Sequence, residues 1–221
     1  MLTWLSPAFP VGGFSYSHGL EAAVDAGLVD GADSLARWLT AVLTAGGARI
    51  DAILLAEAWR AETEADAGRA ERAAVLVDAC RGSAELALES RAQGAAFLDA
   101  VAAAWPAPAI GRYRELLARI ARPPAYATAV GTAAAAAAVP LDAVLVAWLQ
   151  AFAANGVSAG IRLIPIGQRA GLGVLAQLEP VVLAAAADAA RLSPGDIATS
   201  TWVADWASAR HETLYTRLFR S

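Results

Sequence analysis

Two histidines are the side chains of this sequence with the broadest chemical range. Glu21 follows His18 by three positions, and Glu212 stands next to His211. On a helix, His18 and Glu21 would share a face and could hold one metal ion between them. Protein metal sites usually draw three or four ligands, and Cys80 is the only thiol available to complete one. Two copies of the chain could make up the number by bringing symmetry-related histidines together. The plainer reading makes each histidine a surface or core residue.

Nucleophilic chemistry has one candidate in letters. Gly156-Val-Ser-Ala-Gly160 matches Gly-x-Ser-x-Gly, with Asp188 and His211 downstream in hydrolase order. A nucleophile elbow needs a strand before the serine, whereas an alanine-rich helical pattern precedes Ser158. Small residues ending a packed helix are therefore expected there. Gly12-Gly13-Phe14-Ser15 and Gly167 to Gly173 are glycine-rich but lack the phosphate-loop pattern and the βαβ setting. All 17 basic residues are arginine. With no lysine, Schiff-base catalysis and the phosphate-loop lysine are both excluded. The carboxylates Asp51, Glu57, Glu62, Glu64 and Asp66 recur along one helical stretch and read as a solvated face. No catalytic constellation results, and a non-enzymatic role is expected.

The end of the chain is unusual. Arg210 to Ser221 mixes aromatic and basic residues, and Leu214, Tyr215, Leu218 and Phe219 form an apolar stripe. Such a stripe seeks a groove, either on its own domain or on a partner. Trp202 and Trp206, four residues apart, share a face just before it. Core packing is their default, and exposure would make them interface anchors.

The elements that must position these residues are helical. Alanine is the best helix former, and Leu35, Leu39, Val42 and Leu43 are spaced for one helix face, as are Ile110, Tyr113, Leu117 and Ile120. Glycine and proline punctuation divides the 221 residues into about ten helices in one compact all-α domain over 1–221, with 210–221 as a docking segment. Breaks are expected at Gly46-Gly47, near Gly82, at Arg122-Pro-Pro and before Pro180. The first helix is expected from Ser15 to Asp25, and the last from Ser193 to about Tyr215. The composition is 57% hydrophobic, with mean hydropathy +0.46 and net charge −4. That excludes a disordered chain and gives no basic surplus for nucleic acid. Prolines, glycines or polar residues interrupt the longest uncharged runs, so no membrane span is expected. Met1-Leu-Thr-Trp-Leu5 lacks the basic start of a signal peptide, and a cytoplasmic location is expected.

Three blocks make the sequence recognisable. They are Ser6 to Glu21 (SPAFPVGGFSYSHGLE), Leu149 to Gln168 (LQAFAANGVSAGIRLIPIGQ) and the ending HETLYTRLFRS. In this order they resemble the UreF urease accessory proteins, with weaker echoes at Glu89 to Gly94 and Tyr126 to Gly131. After Gln168 the chain reads Arg169-Ala-Gly-Leu where the family usually has T/N-D-G-Q. The resemblance implies an all-helical homodimer that bridges UreD (UreH in some species), bound to the urease apoprotein, and the nickel-carrying GTPase UreG. It implies no tightly bound cofactor, with nickel passing through the complex. Partner contacts then fall on His211, Glu212, Tyr215, Arg217 and Phe219, with Phe14, Tyr16, His18 and Glu21 lying against them. The alternative is a metallochaperone binding nickel directly through His18 or His211.

Overall fold

The computed structural model describes residues 3–221 as ten α-helices and two short 3-10 turns. The helices are α1 (Leu20–Asp25), α2 (Ala32–Ala45), α3 (Gly47–Thr63), α4 (Ala67–Ala79), α5 (Ala84–Ala104), α6 (Pro108–Arg119), α7 (Tyr126–Ala136), α8 (Leu141–Leu163), α9 (Gln168–Ala189) and α10 (Trp202–His211). No strand occurs among the described residues, and one hydrophobic core runs through the helical elements. The all-α expectation holds.

Local chemistry sets most boundaries. Asp66 accepts from the Arg69 amide at 2.9 Å and starts α4. Ser83 accepts from the Leu86 amide at 3.2 Å and starts α5. At α2 the cap works in reverse. Gly31 is the capping residue, and Ser34 inside the helix accepts from the Asp30 and Gly31 amides, both at 3.0 Å.

The centre is the packing of α3 on α7. Residues Ala127 through Ala134 are all buried, so α7 is enclosed all round. The solvated face expected over residues 51–66 forms only at its end, where Glu64 and Asp66 are exposed. Within α3 ten residues are buried, Glu57 among them. Asp51 pairs with Arg81, and buried Glu57 pairs with Arg69 at 2.8 Å and Arg60 at 3.5 Å. Glu62 and Glu64 pair with Arg112 and Arg69. Arginines from α4, α6 and the loop after α4 neutralise what sequence spacing alone shows as unpaired charge.

Two expected breaks are absent. α8 continues through Gly156 and Gly160, whose missing side chains admit Leu39 and Leu35 of α2; a Cβ at either glycine would stand 2.5 Å from a leucine methyl. Ser158 therefore lies within a helix and not on an elbow. α9 continues through Pro180, which removes the amide that the Ala176 carbonyl would accept. Both residues are exposed, so water can take that place. As continuous helices α8 and α9, like the α2–α3 stretch, have the length and hydropathy of a membrane span. In the fold α8 packs on α9, and α2 packs on both.

The last helix is shorter than expected. Ser193 starts only a 3-10 turn at Pro194–Asp196, α10 begins at Trp202, and the chain leaves helical geometry after His211. That ending frees residues 212–221 to return over the N-terminal block.

Candidate partner-docking site

The first expected helix is also shorter. Ser15 closes a 3-10 turn, Tyr16 is extended, His18 has φ 55° and Gly19 has φ 78°. Gly19 meets two demands. Its φ favours glycine, and a Cβ there would lie 2.8 Å from the Ser208 amide of α10. The N-terminal block is thus pressed against α10, and the tail closes over both.

Backbone hydrogen bonds stitch the two ends together. The Ser17 amide donates to the Ser221 carbonyl at 2.8 Å, and the Arg220 amide donates to the Ser15 carbonyl at 2.9 Å. The Ser17 hydroxyl donates to the same Ser221 carbonyl at 2.6 Å. Glu21 does the most. One carboxylate oxygen accepts from the Leu218 amide at 2.6 Å, and the other accepts from the Phe219 amide at 2.9 Å. The second oxygen also meets His211 Nε2 at 3.0 Å.

His211 is fully enclosed, with Nδ1 2.6 Å from Glu85. The ring thus lies between two carboxylates, within hydrogen-bonding distance of each. Arg217 Nη1 donates to the other oxygen of Glu85.

This geometry separates the nine expected residues into two sets. Glu21, His211, Tyr16 and Phe219 face inward; Phe219 is buried beneath the Arg162 guanidinium, 4.3 Å from its ring centre. Glu212 accepts from the Ala84 amide at 2.8 Å and so helps to cap α5. His18 is half-buried, its ring 4.7 Å from that of Phe152 and its Nδ1 3.4 Å from Glu89. Tyr215 is fully exposed, Phe14 is 66% exposed, and Arg217 keeps part of its side chain in solvent. Leu218, at 62% exposure, belongs with this outward set. On α10, Trp202, Val203 and Trp206 are exposed as well, so the tryptophan pair does not join the core.

The shared His18–Glu21 face does not form, because His18 turns to Glu89 and Glu21 to His211. His211 spends both ring nitrogens on carboxylates and offers an entering ion no exposed lone pair. Among the described residues, no group of three or more His, Cys, Asp and Glu side chains is arranged to hold a metal.

Sequence reasoning misses Glu85, Glu89 and Ser17, which together hold the tail. Glu89 is buried, receives the Ser221 hydroxyl at 2.6 Å and the Gln93 amide at 2.9 Å, and has its acidity weakened first by burial, against the opposing pull of His18. A signal existed. Glu85, Glu89 and Gln93 form a row at every fourth residue of α5, beside an outward-facing Leu88 at 59% exposure. Inward polar and outward apolar residues on one helix mark a working surface.

A family model described as UreF matches residues 29–179. Proteins described as urease accessory protein UreF align along the whole chain. The one from Rhodopseudomonas palustris strain TIE-1 is 50% identical, covering 100% of this chain and 91% of the relative. That of Methylobacterium sp. strain 4-46 is 46% identical, covering 100% and 87%. That of Granulibacter bethesdensis is 46% identical, covering 100% and 92%. The family model spans the helical core, while the full-length relatives also cover the N-terminal block and the tail.

Proposed function

The chain belongs to the UreF family of urease accessory proteins, and we propose that within urease maturation it is a non-catalytic cytoplasmic adaptor joining UreD, with its urease apoprotein, to the GTPase UreG. In this reading it times GTP-coupled nickel delivery, and nickel is cargo passing through the complex.

One observation carries the docking part. The tail backbone is pinned by Glu21, while Tyr215 and Leu218 stand in solvent. A segment held in place with apolar side chains outward loses little conformational freedom on binding. Tyr215, Leu218 and the exposed part of Arg217 are assigned to UreD. Glu21, His211 and Phe219 hold that surface in shape, and Phe14 extends it.

The double variant Tyr215→Ala/Leu218→Ala is expected to lose at least ten-fold in capture by immobilised UreD, with a thermal midpoint within about 2 °C of the parent. UreG should be recovered on the UreD resin only when this chain is present. Undiminished capture by the double variant would move the docking surface elsewhere, and UreG recovery without the chain would remove the bridging role.

A homodimer is part of the same proposal. The outward side of α9 carries Leu172, Ala176, Pro180, Leu183 and Ala187, all exposed, over four turns without a charge in that row. Leu172 is 65% and Leu183 52% exposed. Such a stripe suits close self-association. In sedimentation, Leu172→Glu/Leu183→Glu should convert a dimer to a monomer; a persisting dimer would place the interface on another face.

A further inference from the structure

The outward face of α10 combines exposed aromatic surface with an unmatched charge. Ala207, Ser208 and His211 form the buried side of this helix. On the other side Trp202 is 76% exposed and Trp206 48%. Asp205 and Trp206 follow Trp202 at i+3 and i+4, so both stand one turn along from it.

Among the described residues, no hydrogen bond or ion pair reaches the Asp205 carboxylate. Partial burial pushes this carboxyl up from its ordinary value, and no cation opposes the effect. The carboxylate stands over the turn between α4 and α5, where a Cβ added at Gly82 would lie 3.4 Å from Oδ1. The acids around it are engaged elsewhere. Glu212 accepts from the Ala84 amide, and Asp25 pairs with Arg210 at 3.2 Å. A carboxylate in open water needs no partner, but one that is partly covered gains from a cation.

The indoles point to the same chemistry, since tryptophan faces attract cations best. The chain already uses Trp206 in this way, with the Arg210 guanidinium 5.7 Å from its ring centre. Arg210 is held by Asp25 and leaves Asp205 unpaired. An anion on this face would be repelled by Asp205, and a purely apolar group would cover the carboxylate without compensating it.

We propose that this face of α10 docks an arginine side chain of a protein partner, with the guanidinium on the Asp205 carboxylate and against the indoles of Trp202 and Trp206. A planar guanidinium can grip a carboxylate and stack on a ring at once, which an ammonium group cannot. The chain's net charge of −4 favours the approach of a basic segment. Asp205 and the two tryptophans lie outside the Tyr215–Leu218 surface assigned to UreD, and the test below does not involve UreD.

The test uses the full chain with acetyl-Leu-Arg-Leu-amide as probe. The control peptide carries citrulline, the uncharged analogue of arginine. The indole N–H resonances of Trp202 and Trp206 are identified by their absence in Trp202→Phe and Trp206→Phe, both at exposed positions. The arginine peptide is expected to shift both resonances and to bind about five-fold more tightly than the control, the scale of one exposed ion pair joined by a cation–π contact. Asp205→Asn keeps the shape of the side chain and should bring the two affinities together. Equal affinities in the parent, or a preference that survives Asp205→Asn, would overturn the proposal. Unmoved resonances at millimolar peptide would overturn it too, as would a larger displacement by phosphatidylserine vesicles, which would make the face a membrane contact.

Discussion

Replacing His211 with alanine should be among the most damaging single changes in this protein. The side chain is fully buried and touches Glu21 at 3.0 Å and Glu85 at 2.6 Å. Removing a buried hydrogen-bonding partner leaves each of the two carboxylates short of a contact, at a cost of about 1–3 kcal/mol apiece. Glu21 would keep its two backbone donors and Glu85 would keep Arg217, so about 3 kcal/mol in total is the better expectation. For a chain of this size that lowers the thermal midpoint by roughly 6–12 °C. Calorimetry measures the drop, and hydrogen exchange localises it. The Leu218 and Phe219 amides should lose protection while the α3 amides keep most of theirs. A midpoint shift below about 2 °C would show that the tail is held by something other than this group.

That outcome bears on how docking is achieved. His211 first attracts notice as a possible metal ligand, yet its surroundings make it a fastener. If the variant folds but fails to capture UreD, the inward residues are separated experimentally from the outward ones. Tyr215→Ala/Leu218→Ala removes contact surface without disturbing the clamp, whereas His211→Ala removes the clamp and keeps the surface. Loss of capture in both is expected, with a stability loss only in the second.

Periodicity made the helices legible because a 3.6-residue repeat is local. The glycine pair at 46–47 acts within a few positions of itself. What failed was what depends on residues far away. The α3 carboxylates look solvated until Arg81, Arg69 and Arg112 are brought to them. Pro180 looks like a boundary until α9 is seen to keep it on an exposed side. The tail's stripe is split in the structure: Phe219 is buried and Tyr215 and Leu218 are exposed, because the segment leaves helical geometry after His211, whereas a helical reading treats the four apolar side chains as one face. Glu85 lies 126 residues from His211, and no local pattern links them.

The helical frame behind the site has its own weak point at Gly131 of α7. A Cβ there would stand 2.3 Å from the Leu55 carbonyl oxygen of α3 and 3.2 Å from the Ala58 methyl. The obstructing atom is helix backbone, which has no rotamer to change, so the two helices must move apart. Gly131→Ala is therefore expected to destabilise the protein by about 3 kcal/mol, at the upper end of the usual cost of overpacking. The control is Gly111→Ala in α6, where nothing lies within 4 Å of the added methyl. By helix propensity alone that change should stabilise by about 0.5–1 kcal/mol. Denaturant unfolding of both variants gives the comparison. Opposite signs for one chemical change would locate the difference in the approach of α3 to α7; equal signs would mean that the helices separate at little cost. Because α7 also packs on α5, which carries Glu85 and Glu89, the Gly131 variant should loosen the tail indirectly, with less local loss of Leu218 and Phe219 protection than in His211→Ala.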